Sequence, residues 1–351
     1  MIHIIRANHT NSFELQNYAP IAKELKLNVI TSHHPLTPIS IPSHKLWSPT
    51  DFPQFPYRRQ LLNRVIGGEQ WLIGLDDLIH PGDMIHTAET YTPYTHQAVE
   101  MRKNGKISKL ICTCWETIPH NNEKFATFRK WKLDAYKYID IFHTPTERAK
   151  SALIVEGVEA SKIKVIPYGV DLARFHSRVT QRVIPKGRKP VVLTVARFEK
   201  EKGMDLITKV AKAFEDIDFL IVGSGTHPPS GPNIRTQEIA YDKIHEMYQK
   251  ADIFYLPSQT SKNWEEQYGM ALVEAMASGV PIITTDSGAI PEVVGISAIV
   301  RPAKDIRSHI EAIDGVLSYR CNVLQLSRSG RARAERLYDI KKISTKLKTL
   351  Y

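Results

Sequence analysis

Cysteine is scarce in this chain, three among 351 residues, at Cys112, Cys114 and Cys321. An odd count in so long a chain excludes a small disulfide-stapled module. Cys112 and Cys114 have no second Cys or His pair at zinc-ligand spacing, so reduced cytoplasmic thiols are expected. Long apolar runs are missing as well. No stretch approaches the ~20 residues of a membrane span. Met1–Arg6 has no basic segment before it, so a signal peptide is not expected either. There is no internal repeat and no low-complexity tract. A composition of 42% hydrophobic and 24% charged residues excludes disorder, collagen and coiled coil.

What remains is a globular chain long enough for about two domains. Its 47 basic and 37 acidic residues leave a net charge of +10, spread over both halves rather than held in a tail. That excess suits an anionic membrane surface, nucleic acid or a polyphosphate-bearing substrate, and charge alone does not choose among them.

Short, β-branched apolar runs alternate with longer amphipathic ones. Strands are expected at Ile2–Ile5, Asn28–Thr31, Met84–His86, Lys109–Thr113, Asp140–His143 and Lys164–Ile166. A second set follows at Pro190–Ala196, Asp218–Val222, Asp252–Leu256, Pro281–Thr285 and Ser297–Val300. Continuous apolar runs of this length read as strands of a parallel sheet covered on both faces. Helical patterns lie between them, at Gly203–Phe214 and Tyr241–Lys250 for example. Two sets of βαβ units predict two doubly wound α/β domains. The first would be residues 1–176 and the second 190–330, with a polar linker at 177–189. A basic helix at 331–351 is free to return to the first domain. The proline-rich stretch Thr31–Pro56 reads as a long irregular excursion.

The densest chemistry lies in Glu265–Val294, EEQYGMALVEAMASGVPIITTDSGAIPEVV. Gly269 opens a helical run and Gly279 closes it, with Pro281 beyond. Glu266 should sit in the loop before this helix and Glu274 in its first turns. Between them the amides of Met270, Ala271 and Leu272 are expected without intrahelical partners, at the positive end of the helix dipole. That is a phosphate site with a carboxylate on either side. A solvent-facing Glu274 is the plainer alternative. In Val191–Met204 a buried strand ends at Ala196, and Arg197 and Lys202 follow in the loop. Ligands of open α/β sheets bind at the carboxyl ends of strands, where two cations suit a diphosphate. Leu220–Gly225, LIVGSG, is a strand running into a two-glycine turn, where Gly223 would allow close backbone approach.

Five blocks in this order, IPYGVDLARF (Ile166–Phe175), VARFEKEKG (Val195–Gly203), LIVGSG, ADIFYLPS (Ala251–Ser258) and the Glu266–Glu274 pair, resemble the retaining glycosyltransferases of family four. The resemblance runs from about Met84 onward and implies the GT-B fold, two Rossmann-like domains facing a cleft, with the acceptor side in the first. It implies transfer of a hexose from a UDP- or GDP-sugar to a hydroxyl acceptor, possible in such enzymes on a lipid or glycan, without metal or cofactor. By the same resemblance Arg197 and Lys202 hold the donor diphosphate, with the helix amides Met270–Leu272 beside them. Glu274 takes the ribose hydroxyls, and Glu266 lies against the transferred sugar.

The chain departs from that pattern in places. Arg6–Phe13, RANHTNSF, has no glycine where relatives have a Gly-Gly loop. Cys114-Trp115-Glu116-Thr117-Ile118-Pro119-His120 stands where many place a sugar-facing His, which makes Glu116 the candidate there and His120 the second choice. Ala289 replaces a glycine, and Gln267-Tyr268 a Gly-Phe.

Rival readings are a metal-dependent transferase signalled by Asp216-Ile217-Asp218 or Asp76-Asp77, a nicotinamide-dependent dehydrogenase, and a sugar-nucleotide epimerase of the same fold. Asp216 and Asp218 precede a strand, whereas a metal site should follow one. Gly223-Ser224-Gly225 lacks the third glycine of a dinucleotide motif. Fold alone does not exclude the epimerase. The basic run Ser327–Arg336 lacks aromatics for stacking bases, so nucleic acid is not expected as a partner. Lys124–Tyr138, KFATFRKWKLDAYKY, places Phe125, Phe128 and Trp131 at helical spacing among cations. The plain reading is core packing; the sharper one is peripheral docking on the inner, anionic face of a membrane by a cytoplasmic enzyme.

Overall fold

A computed structural model describes the chain except for residues 54, 56, 66–67, 177–183, 185–186 and 319–321. Cys321 and most of the expected linker 177–189 lie outside the described residues. The rest forms two compact units, Met1–Pro167 with Ile343–Tyr351, and Tyr168–Lys342.

The first unit is built on a seven-stranded parallel sheet. Its strands are β1 (Ile2–Ala7), β2 (Leu27–Thr31), β3 (Ser43–Lys45), β4 (Met84–Ala88), β5 (Lys109–Thr113), β6 (Ile141–Thr144) and β7 (Ile163–Val165). They run in the order β3-β2-β1-β4-β5-β6-β7. β1 and β2 are buried along their whole length, because helices cover both faces of a parallel sheet. Ile5, Ile85, Leu110 and Phe142 carry the core from strand to strand. The chain's last residues pack here too. Ser344 Oγ donates to the Asn17 carbonyl at 2.7 Å, and the Tyr351 hydroxyl meets His86 Nδ1 at 2.7 Å.

The second unit repeats the plan with β8 (Val191–Val195), β9 (Asp218–Val222), β10 (Ile234–Gln237), β11 (Ile253–Leu256), β12 (Ile282–Thr285) and β13 (Ile299–Arg301). The order is β10-β9-β8-β11-β12-β13, all parallel. Val192, Phe219, Ile221, Tyr255 and Ile283 form its centre. In both sheets the chain starts in the middle, winds to one edge, then returns and winds to the other. The switch points, where such folds bind ligands, are therefore β1/β4 and β8/β11.

Every strand expected from the sequence is present, with ends shifted by no more than two residues. Two strands were not anticipated, β3 within the supposed irregular excursion and β10. Both are sheet edges with exposed residues, Ser-His-Lys and Ile-Arg-Thr-Gln. Backbone pairing on one side holds them, with no apolar run to betray it. The helical pattern at Tyr241–Lys250 is split into a 3-10 turn, Tyr241–Lys243, and a helix, His245–Lys250. In the helix Val323–Leu337, Arg331 donates to the carbonyls of Phe175 and Ala277, and Arg333 to those of Glu292 and Val293. These two cations of the basic run Ser327–Arg336 thus cap backbone within their own unit.

Candidate functional site

The β8/β11 switch point gathers most of the residues singled out from the sequence. Arg197 leaves β8 exposed, with no side-chain partner among the described residues. Five residues on, a 3-10 turn Lys200–Lys202 swings the ammonium of Lys202 back to Glu266, where Nζ donates to Oε2 at 2.7 Å. Ser258, just past β11, donates to the same oxygen at 2.7 Å. The carboxylate of Glu266 is buried, at 5% exposure, so cation and hydroxyl together compensate its charge. Trp264 lies beneath, with Lys202 Nζ 5.0 Å from its ring centre.

The helix expected after Gly269 spans Met270–Ala277. Gly269 enters it at φ 78°, a left-handed conformation that glycine adopts without strain. Its other end is a Schellman turn, with Gly279 N–H on the Met276 carbonyl and Val280 N–H on that of Ala275. The amides of Met270 and Ala271 have no partner among the described residues. Leu272 was expected to be like them and is not. Its N–H donates to the Gly269 carbonyl at 2.8 Å, because the first turn tightens into a 3-10 pattern.

Glu274 does not face solvent. It is 3% exposed, and its oxygens accept from the hydroxyls of Tyr241 at 3.0 Å and Tyr248 at 2.7 Å. Burial raises its carboxyl to about 7, against the pull of those two hydrogen bonds and of Arg174. Arg174, from the IPYGVDLARF block, lies over the Tyr241 ring at 4.3 Å. Tyr241, Tyr248 and Ser258 carry no sequence signal that tied them to either glutamate. Gly223 has φ 146°, and a Cβ there would fall 2.0 Å from the Ala196 carbonyl oxygen. The close approach that needs this glycine is thus to the chain's own β8 loop.

The Asp216–Asp218 pair sits at the amino end of β9, the opposite end of the strands from these residues. Asp216 is almost fully exposed and pairs with Lys189 at 3.8 Å.

In the first unit, Glu116 lies past the carboxyl end of β5. One oxygen accepts from the amides of Thr117 and Ile118, the other from the side chains of Asn121 and Asn122, all between 2.9 and 3.0 Å. Four donors from its own loop leave the carboxylate holding that loop. His120 is exposed and meets Glu123 at 3.1 Å. His120, Glu123 and Glu156 lie close enough to share a cation. The ammonium of Lys132 already takes that place, 3.1 Å from Glu123 and 2.6 Å from Glu156. One residue here escaped sequence reading altogether. Glu89, just past β4, has φ 58°, a pocket-facing position and a carboxyl raised by burial to about 8.

The helix Ala126–Tyr138 divides its aromatics. Trp131 is buried and stacked on His96, centroids 4.6 Å apart, and Lys132 is buried with it. Phe125 and Leu133 are exposed, beside Arg129 and Lys130.

Residues 178–333 match the family model of glycosyl transferases group 1. A sulfoquinovosyl transferase, SQD2, of Arabidopsis thaliana is 22% identical over 61% of this chain and 44% of its own length. A GDP-mannose-dependent monoacylated alpha-(1-6)-phosphatidylinositol monomannoside mannosyltransferase of Corynebacterium glutamicum is 28% identical over 48% of this chain and 51% of its own. The chain thus spans about half the length of these curated relatives. Among solved structures, Anabaena Alr3699/HepE in complex with UDP-glucose superimposes with a TM-score of 0.76 at 14% identity, over 99% of this chain and 98% of that one. The resemblance to group 1 glycosyltransferases read from the sequence holds, and the fold is GT-B, two Rossmann-like domains on parallel sheets. No helix among the described residues is long and apolar enough to cross a membrane.

Proposed function

We propose that this protein is a glycosyltransferase that moves a hexose from a nucleotide diphosphate sugar to a hydroxyl acceptor with retention of configuration. The observation that carries this reading is the grouping at the β8/β11 switch point. Lys202 and Glu266 are paired at the strand ends, two amides are open at the start of the following helix, and a second buried glutamate, Glu274, lies further along it.

On this reading the donor diphosphate lies against Arg197, Lys202 and the amides of Met270 and Ala271. Its charge, which grows as the glycosidic bond breaks, is met by protein cations and dipoles placed beforehand. No metal is needed for that, and no cofactor. Glu274 holds the ribose hydroxyls, and Glu266 the transferred sugar. The names of the relatives support the class, since one is GDP-mannose-dependent and one was solved with UDP-glucose. Cytoplasmic enzymes of this kind that act on lipids need a surface, and the exposed Phe125 and Leu133 beside Arg129 and Lys130 would supply one on an anionic membrane face.

The test is a panel of UDP-, GDP- and ADP-sugars in thermal shift, since a ligand that binds the native state alone raises the melting temperature. The stabilising donor is then turned over with candidate acceptors, and the product anomer read by NMR. Stabilisation by no nucleotide sugar refutes the reading; an inverted anomer refutes retention.

A further inference from the structure

The last two residues of the IPYGVDLARF block, Arg174 and Phe175, reach both tyrosines that hold Glu274. Asp171 opens a turn there. Its Oδ1 accepts from the Ala173 N–H at 2.9 Å and its carbonyl from the Phe175 N–H at 2.8 Å. The Phe175 ring, fully buried, meets the Tyr248 ring edge-on, centroids 5.8 Å apart at 74°. The Arg174 guanidinium lies 4.3 Å from the centre of the Tyr241 ring and 4.7 Å from that of Phe175, and it donates to the Tyr241 carbonyl. One cation thus holds both the ring and the carbonyl of Tyr241, while the Tyr241 hydroxyl donates to Glu274 Oε1.

This cation has no counter-ion of its own. Among the described residues Arg174 pairs with no carboxylate, and its Nε is shielded from solvent without an acceptor. A guanidinium stacked between rings keeps its charge, being weakly hydrated and protonated at every working pH. The carboxylate that feels this charge is Glu274, which Arg174 pulls toward the ionised form against burial. Tyr241, Tyr248 and Arg174 are the titratable and charged groups that face Glu274. His245 lies against Phe175 instead, ring centres 6.5 Å apart, and Arg331 donates to the Phe175 and Ala277 carbonyls. A cation placed only to tie loops together would be matched by a carboxylate; here two rings take that place.

We propose that Arg174 is a positioning residue of the nucleotide site: through Tyr241 it sets the Glu274 carboxylate where the ribose hydroxyls of the donor meet it. This rests on the function proposed above and adds to it a residue that touches neither sugar nor phosphate. Tyr248 is fixed separately, by the Phe175 ring and by its hydroxyl on the Ala271 carbonyl at 3.3 Å. Tyr241 sits on a three-residue 3-10 turn with no buried residue, so its place depends on what clamps it, and Arg174 is that clamp.

The experiment is calorimetry with UDP and GDP and with the 2′,3′-dideoxy form of each, between pH 6 and pH 9. It compares the wild type with Arg174→Met, Tyr241→Phe and the double variant. Parent and dideoxy nucleotides carry the same phosphates, so the ratio of their affinities isolates the ribose hydroxyls. In the wild type that ratio should exceed about tenfold at pH 8 and fall as pH drops through about 7, where Glu274 takes up its proton. Arg174→Met should cut the ratio by about tenfold at pH 7 and move its midpoint to higher pH, because a cation that favoured the ionised carboxyl is gone. Dideoxy binding should stay unchanged. Tyr241→Phe keeps the ring under Arg174 and should shift the ratio the same way, so it carries the test if Arg174→Met melts early. The double variant should lose less than the product of the two single losses, since both act on one carboxylate. Equal weakening of parent and dideoxy nucleotides, an unmoved midpoint, independent losses, or tighter parent binding by Tyr241→Phe would overturn the proposal. The wild type keeps the two readings apart. If it binds neither UDP nor GDP, the transferase reading fails; if it binds them and the variants match it, only the role of Arg174 fails.

Discussion

Glu274 offers a sharp perturbation, because its two expected roles pull stability and affinity in opposite directions. In the folded protein its carboxyl lies at about 7, against an ordinary 4.5. An acid whose folded value is raised binds its proton more tightly in the native state. Stability is thus highest below 4.5, falls as pH rises from 4.5 to about 7, and is level above. At about 1.4 kcal/mol per pH unit across that window, ionised Glu274 costs about 3 kcal/mol at pH 8. Glu274→Gln removes the titration and can still accept from one tyrosine. The stability of the variant relative to wild type should therefore rise by about 3 kcal/mol between pH 4 and pH 8. For a unit of this size that is roughly 6–12 °C in melting temperature. The relative value matters, since every other titrating group cancels in it. The same substitution should weaken nucleoside diphosphate binding by tenfold or more, as charge-assisted bonds to ribose are worth about 1.5–3 kcal/mol each. Melting curves across the pH range and calorimetry at pH 8 supply both numbers. A stability difference that is flat with pH would refute the burial argument, and unchanged nucleotide affinity would refute the ribose assignment.

Arg197→Ala and Lys202→Met should each cut turnover by on the order of 10²-fold, but only Lys202→Met should lower the melting temperature. It leaves Glu266 buried with Ser258 as its remaining side-chain donor, a loss of ~3 kcal/mol, whereas Arg197 is exposed. Equal melting curves would show that the Lys202–Glu266 pair is not structural. Turnover should survive EDTA; loss restored by Mn²⁺ would return attention to a metal. His143, buried between Thr113 and the Ile166 carbonyl, lies at about 4 against an ordinary 6.5. A base held down in this way loses stability as pH falls through 6.5 and levels near 4, about 3 kcal/mol in all. His143→Gln should flatten that acid limb in melting curves between pH 7 and pH 4. Trp131→Ala should cost ~3–5 kcal/mol by opening the core and leave lipid binding alone. Arg129→Glu with Lys130→Glu should abolish pelleting with anionic vesicles at unchanged stability, and equal pelleting of wild type with neutral and anionic vesicles would end the surface-docking idea.

What the sequence could reveal depended on how local each cause is. An interior parallel strand must be apolar on both faces, so β1, β8 or β11 announces itself, whereas β3 and β10 need cover on one side only and look like loop. The helix at Met270 was legible from its glycines, since αL entry and exit are single-residue demands. The partners of Glu274 were not, because Tyr241 and Tyr248 lie 33 and 26 residues away in the chain and reach it only through packing.

The four glutamates near strand ends carry this point furthest. From the sequence, Glu274 is expected at the ribose, Glu266 at the transferred sugar and Glu116 in place of a sugar-facing His, and Glu89 carries no signal. Their chemistry is decided by what occupies their lone pairs. Glu116 is filled by its own loop, with donors from residues 117 to 122. Glu266 shares one oxygen between Lys202 and Ser258. Glu274 has one phenol on each oxygen, and Glu89 one amide on a single oxygen. A buried carboxylate served by neutral donors alone shifts toward the neutral acid, and the two carboxyls raised to about 7 and about 8 accept from phenols and from one amide, with no ion-paired cation such as Glu266 has in Lys202. Burial without saturation marks a group that has capacity left for a ligand. By that criterion Glu274 keeps the capacity that the proposed ribose contact asks of it, and Glu116, filled by its own loop, has none left for a sugar.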